Sequence, residues 1–89
     1  VIKENITIIN KLGLHARAAA KLVGTASHYA STIQVAKEGR QADAKSIMAV
    51  MMLAASKGTE LTFTIEGTDE ASAWEGIKTL ISNRFDEDE

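Results

Sequence analysis

The 89-residue chain contains no cysteine, no proline and only four aromatic side chains: two Phe, one Tyr and one Trp. Without cysteine there is no disulfide, no thiolate-metal site and no cysteine nucleophile, so stability has to come from packing. With no proline and six glycines, turns are expected at Gly13, Gly39, Gly58 and Gly67, which interrupt the patterned segments. Charge of one sign is not in excess. Ten Lys and Arg face twelve Asp and Glu, a net charge of -2, the wrong balance for gripping phosphate backbones. The lack of Phe or Tyr stacking platforms also argues against a ferredoxin-like nucleic-acid binder. No apolar run approaches the roughly 18–20 residues of a bilayer span, and Val1-Ile2-Lys3-Glu4-Asn5 lacks the basic-then-apolar pattern of a signal peptide. The expectation is a cytoplasmic monomer with no nucleic-acid or membrane partner.

What is present is a 45% hydrophobic composition on a length that allows one core and excludes separate cofactor and substrate domains. The acidic run Asp86-Glu87-Asp88-Glu89 repels itself and has nothing apolar to bury. A single domain over residues 1–85 is therefore expected, followed by a flexible acidic tail over 86–89. The β-branched stretch through Ile6, Ile8 and Ile9 predicts a strand over about 2–9, ending at Asn10-Lys11-Leu12-Gly13. Ala19, Leu22, Val23 and Ala26 recur at helical spacing and predict a helix over about 16–26. Thr32–Ala36 alternates at period two, Lys37-Glu38-Gly39-Arg40 supplies a hairpin turn, and Gln41–Ala44 returns as a short strand.

Ser46 precedes the apolar run Ile47–Ala55 and fits an N-cap. Leu61, Phe63 and Ile65 alternate with Thr62, Thr64 and Glu66, the pattern of a strand with one buried face. Trp74, Ile77, Ile81 and Phe85 then mark a last helix opened by Thr68-Asp69-Glu70. The order βαββαβα predicts an α+β open-faced two-layer sandwich, a four-stranded antiparallel sheet with three helices on one face and solvent on the other. Val35, Phe63, Ile65, Leu22, Val50, Leu53, Trp74, Ile77 and Ile81 lie on the apolar phase of their elements and form the expected core.

His15 stands where the loop after the first strand becomes a helix, with Arg17 two residues on. An imidazole there faces unpaired backbone amides and the positive end of the macrodipole, which favour an anion on or near the ring. The same field keeps the ring neutral and nucleophilic, while Arg17 offers charge-assisted hydrogen bonds to phosphate oxygens. That combination suits covalent phosphoryl capture, although a histidine at a helix start is by itself commonly a cap or surface residue. His28, near the end of the same helix, has no ligand-type neighbour at metal spacing and fits a surface role complementing the helix dipole.

Gly13-Leu14-His15-Ala16-Arg17-Ala18-Ala19 resembles the active-site signature of the HPr family, the histidine-containing phosphocarriers of the bacterial phosphotransferase system. Lys45-Ser46-Ile47-Met48, with Val50, Met51 and Leu53, is similar to the family's regulatory-serine motif, and the two signatures lie about thirty residues apart as the family spaces them. The resemblance spans essentially the whole chain. It implies strand order 1-4-2-3 and no cofactor. It also implies that His15 accepts a phosphoryl group on Nδ1 from the phosphoenolpyruvate-dependent Enzyme I and passes it to an EIIA-type acceptor, with Arg17 stabilising the phosphate. Ser46 matches the serine modified by HPr kinase/phosphorylase.

Met48, Met51 and Met52 crowd one short helix, either as core filler or as an adaptable docking surface. The family docks partners there, which points to Ile47, Met48, Met51 and Met52 as partner-facing, together with Ala16, Ala20, Lys21 and Gly24. Ala18 departs from the proline usual in sugar-system members. It is similar to a subgroup serving regulatory or nitrogen-branch (NPr-like) relays. The alternative reading is a regulatory interaction module without sugar transport, either an NPr-like nitrogen-branch relay or a module whose phospho-Ser46 controls binding to a transcription regulator.

Overall fold

Alternation decides the centre of the sheet. In β4 (Glu60–Glu66) Leu61, Phe63 and Ile65 are buried while the residues between them stay toward solvent. The computed structural model describes residues 1–89. It pairs β4 antiparallel on one side with β1 (Ile2–Thr7) and on the other with β2 (Thr32–Lys37), which in turn pairs with β3 (Arg40–Asp43). The resulting order is β1-β4-β2-β3, as the resemblance implies. Register brings Phe63 opposite Val35 and Ile65 opposite Ile33, so one sheet face is continuously apolar. On the other face the Thr62 hydroxyl donates to Asn5 Oδ1 at 2.8 Å. The β2–β3 hairpin turns through Glu38 (φ 49°) and Gly39 (φ 83°), the two positive φ values that a tight hairpin needs to match strand twist.

Three helices cover the apolar face: α1 (Ala16–Ser27), α2 (Ile47–Met52) and α3 (Glu70–Ser82). Eight of the nine expected core residues are buried. Trp74 is the exception, only partly buried, with its ring tilted 47° against Phe63 at a centroid distance of 5.8 Å. Ile8, Leu61, Ile33 and Phe85 join the core as well.

Three elements are shorter than their sequence patterns. β1 ends at Thr7, after which Ile8 turns into the core and Ile9 outward. Helix α2 stops at Met52 because Ala54 takes a left-handed conformation (φ 52°), and Lys37 Nζ donates to the Leu53 and Ala54 carbonyls at 3.0 and 3.2 Å. Helix α3 ends at Ser82, so Phe85 does not continue its stripe. Instead Arg84, Phe85 and Asp86 form a left-handed turn (φ 56°, 54° and 62°) that reverses the chain and buries the Phe85 ring. The Asp69 carboxylate, at the start of α3, accepts hydrogen bonds from the amides of Ala30 and Ser31.

Candidate functional site

The loop between β1 and α1 is built to a fixed shape. Asn10 is fully buried; its Nδ2 donates to the Gly13 carbonyl at 2.8 Å, and the Gly13 amide donates back to the Asn10 carbonyl at 3.2 Å. Gly13 sits at φ 68°, and a Cβ there would lie 2.5 Å from the Ala55 carbonyl oxygen and 2.7 Å from Ser56 Cα. Next along the chain, the Leu14 amide donates to the same Ala55 carbonyl at 2.8 Å. His15 is thereby delivered as the N-cap of α1 in an extended conformation (φ -71°, ψ 177°), its carbonyl accepting from Ala19 and its ring making no capping hydrogen bond.

Gly13→Ala is expected to cost about 2–4 kcal/mol, since it combines an unfavourable positive φ with a clash against backbone that cannot swing away. A fall in Tm of about 8 °C or more by thermal unfolding would register it. An unchanged Tm would mean that the 54–56 segment yields freely.

The acidic end does not stand off in water as its composition predicts. Phe85 anchors it in the core, and the Lys21 ammonium donates to the Phe85 carbonyl at 2.7 Å. The Lys11 amide donates to the Glu89 carbonyl at 2.6 Å. Between these anchors the Glu87 carboxylate meets two partners. Its Oε1 accepts from Asn10 Nδ2 at 3.0 Å and its Oε2 meets His15 Nε2. The expected self-repulsion among the acids is offset by the basic residues Lys11, Arg17 and Lys21 lining the same cleft. Burial pushes the Glu87 pKa up, but the hydrogen bonds from Asn10 and His15 and the nearby Lys21 ammonium outweigh it and hold the value below the ordinary carboxylate range. A depressed carboxyl stabilises the docked strap above its unfolded value and loses that contribution as pH falls through the lower folded value. The contact is therefore fully formed at neutral pH.

His15 and Arg17 line one cleft, as the sequence pattern requires. The imidazole side chain is 27% exposed, and Nδ1 makes no hydrogen bond within the chain. Arg17 is exposed and pairs with no carboxylate. Ser46 caps α2, its hydroxyl accepting from the Ala49 amide at 3.4 Å. Val50 and Leu53 turn inward, whereas Met48 and Met52 are each 71% exposed, and Ile47 and Met51 are also on the surface. Of the methionine readings, core filling fails for Met48 and Met52. Ala16, Ala20 and Gly24 lie exposed along α1, while Lys21 is partly committed to the strap. Sequence reasoning missed Asn10, Lys11 and Glu87. Glu87 meets Asn10 across 77 positions and His15 across 72, which no local pattern reports.

A family model described as the PTS HPr component phosphorylation site matches residues 2–83. A phosphocarrier protein HPr of Cupriavidus necator is 51% identical over 89 residues, covering all of both chains. One of Pseudomonas aeruginosa is 58% identical over 85 residues, 94% of each chain. Among solved structures, a crystal structure of HPr from Thermoanaerobacter tengcongensis superposes with a TM-score of 0.96 at 42% identity, covering all of both chains.

Proposed function

The chain belongs to the HPr family of phosphocarrier proteins, and from that premise we propose that His15 is its phosphoryl acceptor, charged by Enzyme I and discharged to an EIIA-type acceptor. The observation carrying this reading is the imidazole at the N-terminus of α1, with Nδ1 free of hydrogen bonds and an unpaired guanidinium two residues on. A phosphoryl group on Nδ1 would meet the helix dipole and Arg17 together, so its negative charge is stabilised without a metal. The chain is a carrier, a protein substrate of the enzymes on either side of it. Incubation with Enzyme I and phosphoenolpyruvate should give an acid-labile, base-stable phosphate on this chain. Failure to incorporate one would reject the assignment.

Partner docking in this reading uses the exposed apolar face of α2, Ile47, Met48, Met51 and Met52, beside Ala16, Ala20, Lys21 and Gly24 of α1. Apolar, flexible thioethers at the centre of such a face suit several partners in turn. Ser46 lies at its edge and is the proposed site of HPr kinase/phosphorylase. A charge there leaves the cap in place, since carboxylates also cap helices, but it opposes docking of an acidic partner and adds a desolvation cost. Ser46→Asp is therefore expected to keep or slightly raise Tm while slowing Enzyme I transfer about 5-fold, more at low salt than at high. Equal rates for the variant and wild type at both ionic strengths would leave Ser46 as a cap only.

A nitrogen-branch or regulatory relay is the second reading, favoured by Ala18. The residue is buried at the third position of α1, where its amide is one of the orphan donors of the first turn and proline would have none. Offering the phosphorylated chain to a sugar-branch and a nitrogen-branch EIIA in parallel distinguishes the two by which one drains it.

A further inference from the structure

We propose that Glu87 is a positioning residue for His15: its carboxylate, held by Asn10, fixes the proton on Nε2 and so keeps the Nδ1 lone pair free for phosphoryl transfer. The inference rests on the reading of His15 as the acceptor. Its physical basis is the division of labour between the two carboxylate oxygens. Oε1 is occupied by Asn10 Nδ2, and Oε2 faces His15 Nε2. The orientation of Asn10 is not free, because the same Nδ2 also donates to the Gly13 carbonyl and both neighbours are acceptors. A carboxylate only accepts, so a neutral imidazole beside it carries its one proton on Nε2. The strap is placed by contacts that do not involve the ring: the buried Phe85, Lys21 on the Phe85 carbonyl, and the Lys11 amide on the Glu89 carbonyl.

During transfer the Nδ1 lone pair attacks phosphorus. The N–P bond forms as the bond from phosphorus to the donor breaks, and that electron pair leaves with the donor. The Nε2 proton stays in place. The ring then carries positive charge, which the Glu87 carboxylate balances, and onward transfer to the acceptor returns the electron pair to Nδ1. Glu87 itself touches no phosphate. Its role is that of a carboxylate orienting a reactive histidine and selecting its tautomer.

The test compares the full chain with Glu87→Gln and Glu87→Ala, using 15N NMR of the His15 ring with the imidazole neutral, and Enzyme I transfer kinetics. In Glu87→Gln the amide oxygen has to face Asn10 Nδ2, which turns the amide N–H toward Nε2 and drives the ring proton to Nδ1. The expected result is a wild-type ring with Nε2 protonated, a Gln variant shifted toward the Nδ1-protonated form, and an Ala variant between them. Transfer kcat should fall about 10- to 100-fold in the Gln variant with KM for Enzyme I little changed, and less in the Ala variant. Identical ring spectra in wild type and Gln variant, or a Gln variant transferring at the wild-type rate, would overturn the proposal. Absence of phosphohistidine in the wild type would instead remove the His15 reading, and the ring spectra report on Glu87 independently of it.

Discussion

His15→Ala is expected to abolish phosphorylation by Enzyme I while the domain remains folded. No other side chain can take over: His28, the second imidazole, is the C-cap at the far end of α1, about 20 Å away at 1.5 Å rise per residue. The fold should survive because the histidine contributes its backbone, not its ring, to the helix start. Its carbonyl accepts from Ala19 whatever the side chain, and the ring makes no capping bond. What the variant loses is the Nε2 contact to Glu87, whose carboxylate keeps Asn10 and the strap anchors at Phe85 and Lys21. That loss should cost on the order of 1 kcal/mol. The measurements are acid-labile phosphate after reaction with Enzyme I and phosphoenolpyruvate, and thermal unfolding in parallel. Acid-labile phosphate retained by the variant would place the acceptor elsewhere, and a lost unfolding transition would mean that the ring holds the loop together.

The parts of this molecule that could be read from sequence are those set by local period and turn chemistry. Leu61, Phe63 and Ile65 at period two, and Ile77 and Ile81 on one helical face, announce their burial within a few residues. Position 15 is legible for the same reason, because a loop ending in Gly13 and a helix beginning at Ala16 place a histidine at a helix start with no tertiary information. The misread parts are those where a distant partner overrides a local pattern. Ile47–Ala55 is an unbroken apolar run, yet α2 ends at Met52, where Lys37 from the neighbouring strand meets the carbonyls at its end and Ala54 turns left-handed. Phe85 lies on the phase of α3, but the chain leaves the helix and buries that ring from a reversed turn. Once Phe85 is pinned, the four acids that follow it run along the cleft that Lys11, Arg17 and Lys21 also line, and composition alone cannot report that the basic residues are there.

Arg17→Glu is expected to slow phosphoryl transfer to His15 by about 100-fold or more with the fold retained. The guanidinium is exposed and pairs with no carboxylate, so its replacement leaves no buried group unsatisfied. On the helix, glutamate at position 17 stands four residues before Lys21, a favourable spacing, so α1 should not weaken. Transfer suffers twice. A charge-assisted hydrogen bond to the phosphoryl oxygens, about 1.5–3 kcal/mol, is lost, and a carboxylate facing the incoming dianion adds repulsion of about 1 kcal/mol in a solvent-exposed cleft. Together these correspond to roughly two to three powers of ten in rate. The two contributions separate by salt. Arg17→Ala loses only the hydrogen bond and should fall about 10- to 100-fold, with a defect nearly independent of ionic strength. The additional defect of Arg17→Glu is long-range repulsion and should shrink as salt shortens the screening length. Stopped reactions with Enzyme I at two salt concentrations, for wild type and both variants, give all the rates required. If Arg17→Glu transfers at the wild-type rate, Arg17 is a solvated surface charge, and the phosphate has to be held by the helix amides and Lys21 instead.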